Sequence, residues 1–198
     1  METDRDYTGS KIGMWLFLLS EIILFGGLFL LYASYRYKNP SDFHLAAWEL
    51  DRVLGTLNTL ILITSSLLMA ISIFFLKNGN RKLSALFLFG TLILGSLFLG
   101  IKGVEWMAKI DYGLYPNSPR LLERSKGEVL FYGLYYSMTG LHGLHVLVGL
   151  GILFVMLILM IKGKINEHRF ITLENSGLYW HLVDILWIFL FPLFYLIT

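Results

Sequence analysis

The chain has 198 residues, of which 56% are hydrophobic, 16% aromatic and only 15% charged, and its mean hydropathy is +0.66. A water-soluble domain carries about 25% charged and 45 to 50% apolar residues, so the apolar excess must face something other than water. A formal charge of +2, from 16 Lys and Arg against 14 Asp and Glu, excludes a nucleic-acid binder, and the absence of Cys excludes disulfides, zinc knuckles, iron–sulfur clusters and thiolate copper centres.

A helix that crosses a bilayer needs about 20 mostly apolar residues at 1.5 Å each. Five runs meet that requirement: 12–32, 53–76, 83–101, 129–161 and 176–197. The predicted fold is therefore all-α, a polytopic membrane protein forming a bundle of five transmembrane helices, with residues 1–198 as a single membrane domain. The first run has no small-residue cleavage site after it and reads as a retained helix. The links carry turn and charge signals: 35–52 with Asn39-Pro40, 77–82 with Asn78-Gly79-Asn80, 102–128 with two prolines, and 162–175. Gly26 and Gly27 on the first run, and Gly90, Gly95 and Gly100 on the third, are expected to let helices approach closely. So are the small polar residues Thr56, Ser65, Ser66 and Ser72 on the second.

Five spans place the termini on opposite sides. The 16 Lys and Arg divide evenly between the two sides, but the densest cluster in a short link is Lys77, Arg81 and Lys82, which puts the amino terminus in the cytoplasm and the carboxy terminus outside. Trp15, Tyr32, Tyr35, Tyr37, Trp106 and Tyr179 read as interfacial aromatics.

Ionisable groups at lipid depth are costly, by about 2.5 to 3.5 kcal/mol on insertion scales, so each needs a partner or a purpose. Five stand out: Glu21, His142, His145, His181 and Asp184. His44 and His168 fall in links. Glu21, ten residues after Lys11, lies about 15 Å deep, and Asp184, nine after Asn175, about 13 Å deep from the same side. The pairs His142/His145 and His181/Asp184 are three residues apart and share helix faces. The five are expected to form an interior hydrogen-bonded network, because lipid offers no partners. Glu21 reads either as a proton relay or as a neutral acid bonded to a neighbour. The histidines read either as haem or copper ligands or as interhelical hydrogen-bond donors. A haem–copper core needs six histidines and this chain has three at depth, so it is not itself the oxygen-reducing subunit. A single b-type haem would need His181 as one ligand.

Four stretches resemble the subunit III family of haem–copper terminal oxidases. They are Gly13-Met14-Trp15-Leu16-Phe17-Leu18-Leu19-Ser20-Glu21, Glu105-Trp106, Thr139-Gly140-Leu141-His142-Gly143-Leu144-His145-Val146, and Tyr179-Trp180-His181-Leu182-Val183-Asp184-Ile185-Leu186-Trp187. The layout is similar to the five-span bacterial members, starting where the third helix of seven-span members starts. The resemblance implies a non-catalytic subunit with no cofactor of its own, haem and copper being in its partner, subunit I. It implies that the chain flanks subunit I in a cytochrome c oxidase type of complex in the bacterial inner membrane, with a respiratory supercomplex as a wider setting. There it would stabilise subunit I, support proton uptake and bind phospholipid. Subunit III of a quinol oxidase, the accessory subunit of a nitric oxide reductase and a haem b membrane anchor are the alternatives. Glu21 matches the family's buried glutamate, and Glu105, Trp106, Trp180 and Trp187 are expected at lipid or subunit contacts. Leu30 stands where the family often has a lipid-contacting Trp, and Leu141 and Leu182 replace commoner Phe residues.

Overall fold

A computed structural model describes residues 2–166 and 170–196, and the side chains from residue 8 onward in that range. His168 lies outside the described residues. Seven α-helices follow in order: α1 (Glu2–Lys38), α2 (Pro40–Trp48), α3 (Arg52–Lys77), α4 (Arg81–Asp111), α5 (Pro119–Leu122), α6 (Lys126–Ile161) and α7 (Ile171–Phe191), with a closing π-helical turn at Pro192–Leu196. Five of these, α1, α3, α4, α6 and α7 with its π turn, are long and apolar enough to cross a membrane. The predicted runs lie on them, except that residue 197 of the last run is outside the described residues.

The helices outrun the apolar windows. α4 continues ten residues past Ile101 because Lys102 and Glu105, one helical turn apart, pair with each other at 3.0 Å and so remove the penalty that a lone charge would carry. Lys102, expected in a link, is thus an interior residue with 5% exposure. The link at 35–52 also has regular structure. Pro40 starts α2, where its missing N–H costs nothing, and Phe43, Ala46 and Ala47 bury the inner face. His44 is on this helix and not in an irregular link; its Nε2 accepts from Trp48 Nε1 at 3.0 Å.

Helix ends are set by local chemistry. Asp51 caps α3 by accepting from the N–H groups of Val53 and Leu54 at 2.9 and 3.0 Å, Asn80 caps α4 through Leu83 at 3.2 Å, and Ser125 caps α6 through Glu128 at 3.3 Å. Gly79 and Gly163 end α3 and α6 at φ of 77° and 75°, and the next residues, Asn80 and Lys164, donate back five positions to Phe75 and Leu159. That turn requires left-handed backbone, which glycine adopts without strain. Replacing the α3 cap, Asp51→Ala, is expected to cost about 1 kcal/mol. A lowered melting temperature of the detergent-solubilised protein, with unchanged helix content at low temperature, is the check.

α3 and α4 form an antiparallel hairpin, stitched by Ser72 to Ser84 and by Thr91 to the Ser65 carbonyl. α6 and α7 form a second antiparallel pair. α7 is the most enclosed of the five spans and α1 the least. Trp180 is the wedge of the core. Its ring lies between Gly95 of α4 and Gly149 of α6, where a Cβ would stand 2.6 and 2.9 Å from ring carbons, and its Nε1 donates to Ser65 at 3.1 Å. Gly90 is also packed, against Leu68, whereas Gly26, Gly27 and Gly100 face open space. Close helix approach through those three is therefore not made among the described residues. Of the expected interfacial aromatics, Tyr32 and Tyr179 are instead buried in the bundle, because Tyr32 donates to the Leu193 carbonyl at 2.7 Å and Tyr179 to the His145 carbonyl at 3.0 Å. Trp15 and Tyr37 are exposed as a belt requires.

Candidate functional site: polar groups inside the membrane bundle

Three residues turn an α-helix by about 300°, so residues three apart point about 60° away from each other. On α6 that divergence separates the two histidines. His145 meets α1, and His142 enters the core between α4 and α7.

His145 Nε2 and Glu21 Oε2 are 2.9 Å apart. His145 Nδ1 stands 2.8 Å from the Leu141 carbonyl, which only accepts, so Nδ1 carries a hydrogen and Nε2 is left to face the carboxyl group. Either the acid is protonated and donates to a bare Nε2, or an imidazolium donates to a carboxylate. Both arrangements hold one transferable proton and no net charge. Phe25 closes one side, edge-on to the imidazole at 5.5 Å. The pair lines a groove of about 520 Å³ between α1, α6 and α7, whose walls include Phe17, Leu144, Val148 and Ile152. At the amino-terminal rim, Asn175 Nδ2 donates to Ser10 Oγ at 2.8 Å, and Glu174 pairs with Lys11 at 3.2 Å and Lys77 at 2.8 Å. These contacts fasten α1 and α3 to α7.

The other expected members of the set do not join this pair. His181 Nδ1 is 2.5 Å from Ser66 Oγ on α3. Asp184 faces the same Ser66 hydroxyl, but neither of its oxygens is in hydrogen-bonding geometry with any described group. His142 lies tilted at 5.2 Å from Trp187 and edge-on at 5.6 Å to Phe98, with both nitrogens unbonded. The five residues therefore form one direct pair and three separate positions instead of a continuous hydrogen-bonded network.

A second polar centre was not legible as a site in the sequence. Lys102 Nζ donates to Glu105 Oε2 at 3.0 Å, to Tyr135 at 2.9 Å and to Tyr195 at 2.6 Å. Both tyrosines in turn donate to Glu105 Oε1, at 2.9 and 2.6 Å. All three ammonium hydrogens and both carboxylate oxygens are used, and the rings of Tyr135, Trp187 and Tyr195 surround the cation at 4.8 to 5.2 Å. The node ties α4 and α6 to the closing π turn. The sequence signal was the spacing of Lys102 and Glu105, which places them on one helix face.

Glu105, Trp180 and Trp187, expected at lipid or subunit contacts, lie at 2%, 0% and 1% exposure inside the bundle, since their polar atoms bond to α3, α6 and the π turn. Trp106 is half-buried and lines a shallow groove of about 360 Å³ between α4 and α6. Outside the spans, Arg124 pairs with Glu49 at 2.8 Å, and Tyr132, near the start of α6, donates to the other Glu49 oxygen at 2.6 Å. Partial burial pulls the Arg124 pKa down, but the Glu49 hydrogen bond and charge outweigh it and leave the guanidinium above its ordinary value. Lys109 also donates to the Glu49 carbonyl, so this cluster fixes α2 against α4 and α6. Among the described residues, no group of three or more His, Asp or Glu side chains converges to hold a metal ion.

The family profile described as cytochrome c oxidase subunit III matches residues 2–198. A cytochrome c oxidase subunit 3 from Thermostichus vulcanus is 33% identical over 193 residues, covering 94% of this chain and 87% of that protein. A probable quinol oxidase subunit 3 from Staphylococcus haemolyticus is 27% identical over 188 residues, covering 95% and 89%. A haem–copper oxidase subunit I+III from Aeropyrum pernix is 30% identical over 193 residues. The match covers 94% of this chain but only 22% of that longer protein.

Proposed function

Because the chain belongs to the cytochrome c oxidase subunit III family, we propose that it is the non-catalytic flank of a respiratory haem–copper oxygen reductase that takes electrons from cytochrome c. It is subunit III of a haem–copper terminal oxidase and a multi-pass membrane protein. In the proposed role it seats against subunit I, which holds the haem and copper, stabilises that subunit and sustains proton uptake into it. The Aeropyrum relative named as subunits I and III in one chain supports the pairing with subunit I. The cytochrome c oxidase subunit 3 from Thermostichus vulcanus is 33% identical. The probable quinol oxidase subunit 3 from Staphylococcus haemolyticus stands at 27%, which favours cytochrome c as donor and keeps quinol as the second reading.

The observation that carries the proton role is the Glu21–His145 pair, a neutral proton-sharing unit held in a membrane-facing groove. Ionisable residues inside membrane segments are costly, pair with one another and mark ion pathways and proton relays among their uses. The same groove, apolar along its length and polar at its rim, has the character of a phospholipid seat. The cytoplasmic placement of the amino terminus is supported by the cluster Lys77, Arg81 and Lys82, and by withdrawal of Lys102 from the opposite side's charges into the interior.

Glu21→Ala in the assembled oxidase is expected to lower turnover-linked proton uptake or shorten the functional lifetime of the complex. Glu21→Gln, which keeps shape and one hydrogen bond, is expected to retain assembly but share the functional defect. Oxygen consumption, proton release from vesicles and inactivation during turnover are the readouts. Wild-type values in all three for both variants would reduce the pair to packing.

A further inference from the structure

Three enclosed side chains near the centre of the bundle make no hydrogen bond. Asn58 on α3 and His142 on α6 have 0% exposure and Asp184 on α7 has 2%, and in each both polar side-chain atoms are unbonded. They come from different helices: Asn58 and His142 flank the level of Trp187, and Asp184 faces Ser66, eight residues and about 12 Å along α3 from Asn58. The Trp187 Nε1 donates at 3.1 Å to Thr59, the neighbour of Asn58, and its ring lies 5.2 Å from His142. Asp184 precedes Trp187 by three residues, a rise of about 4.5 Å. Phe98, 4.9 Å from Trp187 and 5.6 Å from His142, fills α4's share of the layer.

Inside a bilayer no solvent reaches such groups from outside, and an unbonded amide or acid there is strongly destabilising. Native interiors satisfy these groups with ordered water, on the order of one molecule per 27 residues, each making about three hydrogen bonds. The donor and acceptor requirements select the ligand. An amide presents N–H and C=O together, a neutral imidazole presents N–H and a lone pair, and a carboxyl group presents at least one bare acceptor. Only a small molecule that both donates and accepts serves all three. A cation would leave the amide N–H and the imidazole N–H unserved, and an apolar filler would serve none.

We infer that the layer around Trp187 is an internal water-binding site, its molecules bonded to Asn58, His142 and Asp184. The site sits between the two polar centres of the protein. His145, of the Glu21 pair, is three residues from His142 on α6, and the Lys102 ammonium lies 5.1 Å from the opposite member of the layer, the Trp187 ring. The inference does not depend on the proposed role of Glu21 in proton uptake.

The test is a map of the assembled wild-type oxidase at a resolution that shows water, with infrared spectra of the purified complex in ordinary and oxygen-18 water, for wild type and Asn58→Leu. Solvent density is expected within about 2.7 to 3.2 Å of all three side chains. An isotope-shifted O–H band from enclosed water should fall in Asn58→Leu. Protein atoms bonded to these side chains with no solvent density between them would overturn the inference, as would an isotope-shifted band of equal size in the two proteins. If Asn58→Leu does not assemble, the wild-type map alone decides.

Discussion

Lys102→Met should cost about 3 to 5 kcal/mol of stability, the range for removing one partner of a buried ion pair. The change deletes three hydrogen bonds at 2.6 to 3.0 Å and leaves the Glu105 carboxylate without a countercharge at 2% exposure. Two tyrosine hydroxyls still reach that carboxylate, which limits the loss without cancelling the charge. The π turn should loosen as well, since Tyr195 loses a partner of its hydroxyl. Thermal unfolding in detergent and limited proteolysis at the carboxy terminus measure the two effects. The double variant Lys102→Met, Glu105→Leu should recover part of the loss, because apolar groups replace the buried ion pair with little penalty while the Tyr135 and Tyr195 hydroxyls keep only each other, 3.4 Å apart. Wild-type stability in the single variant would mean that the node carries no net energy.

Gly95→Val should be the second severe change. A Cβ at position 95 meets the Trp180 ring at 2.6 Å and Leu150 at 2.8 Å, and the ring has no room to retreat because Gly149 holds its other side. α4 must move outward or Trp180 must tilt. Overpacking of this kind costs about 1 to 3 kcal/mol, and tilting also breaks the bond from Trp180 to Ser65, worth about 0.5 to 1.5 kcal/mol. A lower melting temperature with altered tryptophan emission is the expected reading. Gly100→Val on the same helix is the control: nothing lies within 4 Å of its Cβ position, so its unfolding should stay near wild type. Equal losses at both sites would point to helix propensity and not to the Trp180 wedge.

The five spans were legible because the bilayer imposes one length and one polarity on every crossing helix. The pairing of Glu21 with a histidine of the fourth span was legible in kind, as both groups had to find partners at depth. Which histidine takes Glu21 was not, because the 60° between His142 and His145 acquires meaning only when α1 is docked. Lys102 was misplaced for a related reason. Hydropathy scores a residue by its own transfer energy, and Lys102 is inside only because Glu105, Tyr135 and Tyr195 converge on it from two helices and the terminal turn. α2 was hidden by the Asn39-Pro40 signal, which marks a helix start as readily as a turn. Trp180 and Trp187 were expected at lipid or subunit contacts from the family resemblance, which says nothing of the glycines that face Trp180. Gly95 and Gly149, 85 and 31 residues before Trp180, are what make an interior place for its ring.

The shared proton of Glu21 and His145 has an electrical consequence. Its two resting places lie within 2.9 Å of each other, less than a tenth of a hydrocarbon layer about 30 Å thick. A full elementary charge crossing that layer changes energy by about 2.3 kcal/mol per 100 mV, so a hop along this bond changes it by at most about 0.2 kcal/mol per 100 mV. Membrane voltage therefore has almost no leverage on which residue keeps the proton, and energising the membrane leaves this unit poised as it was at rest.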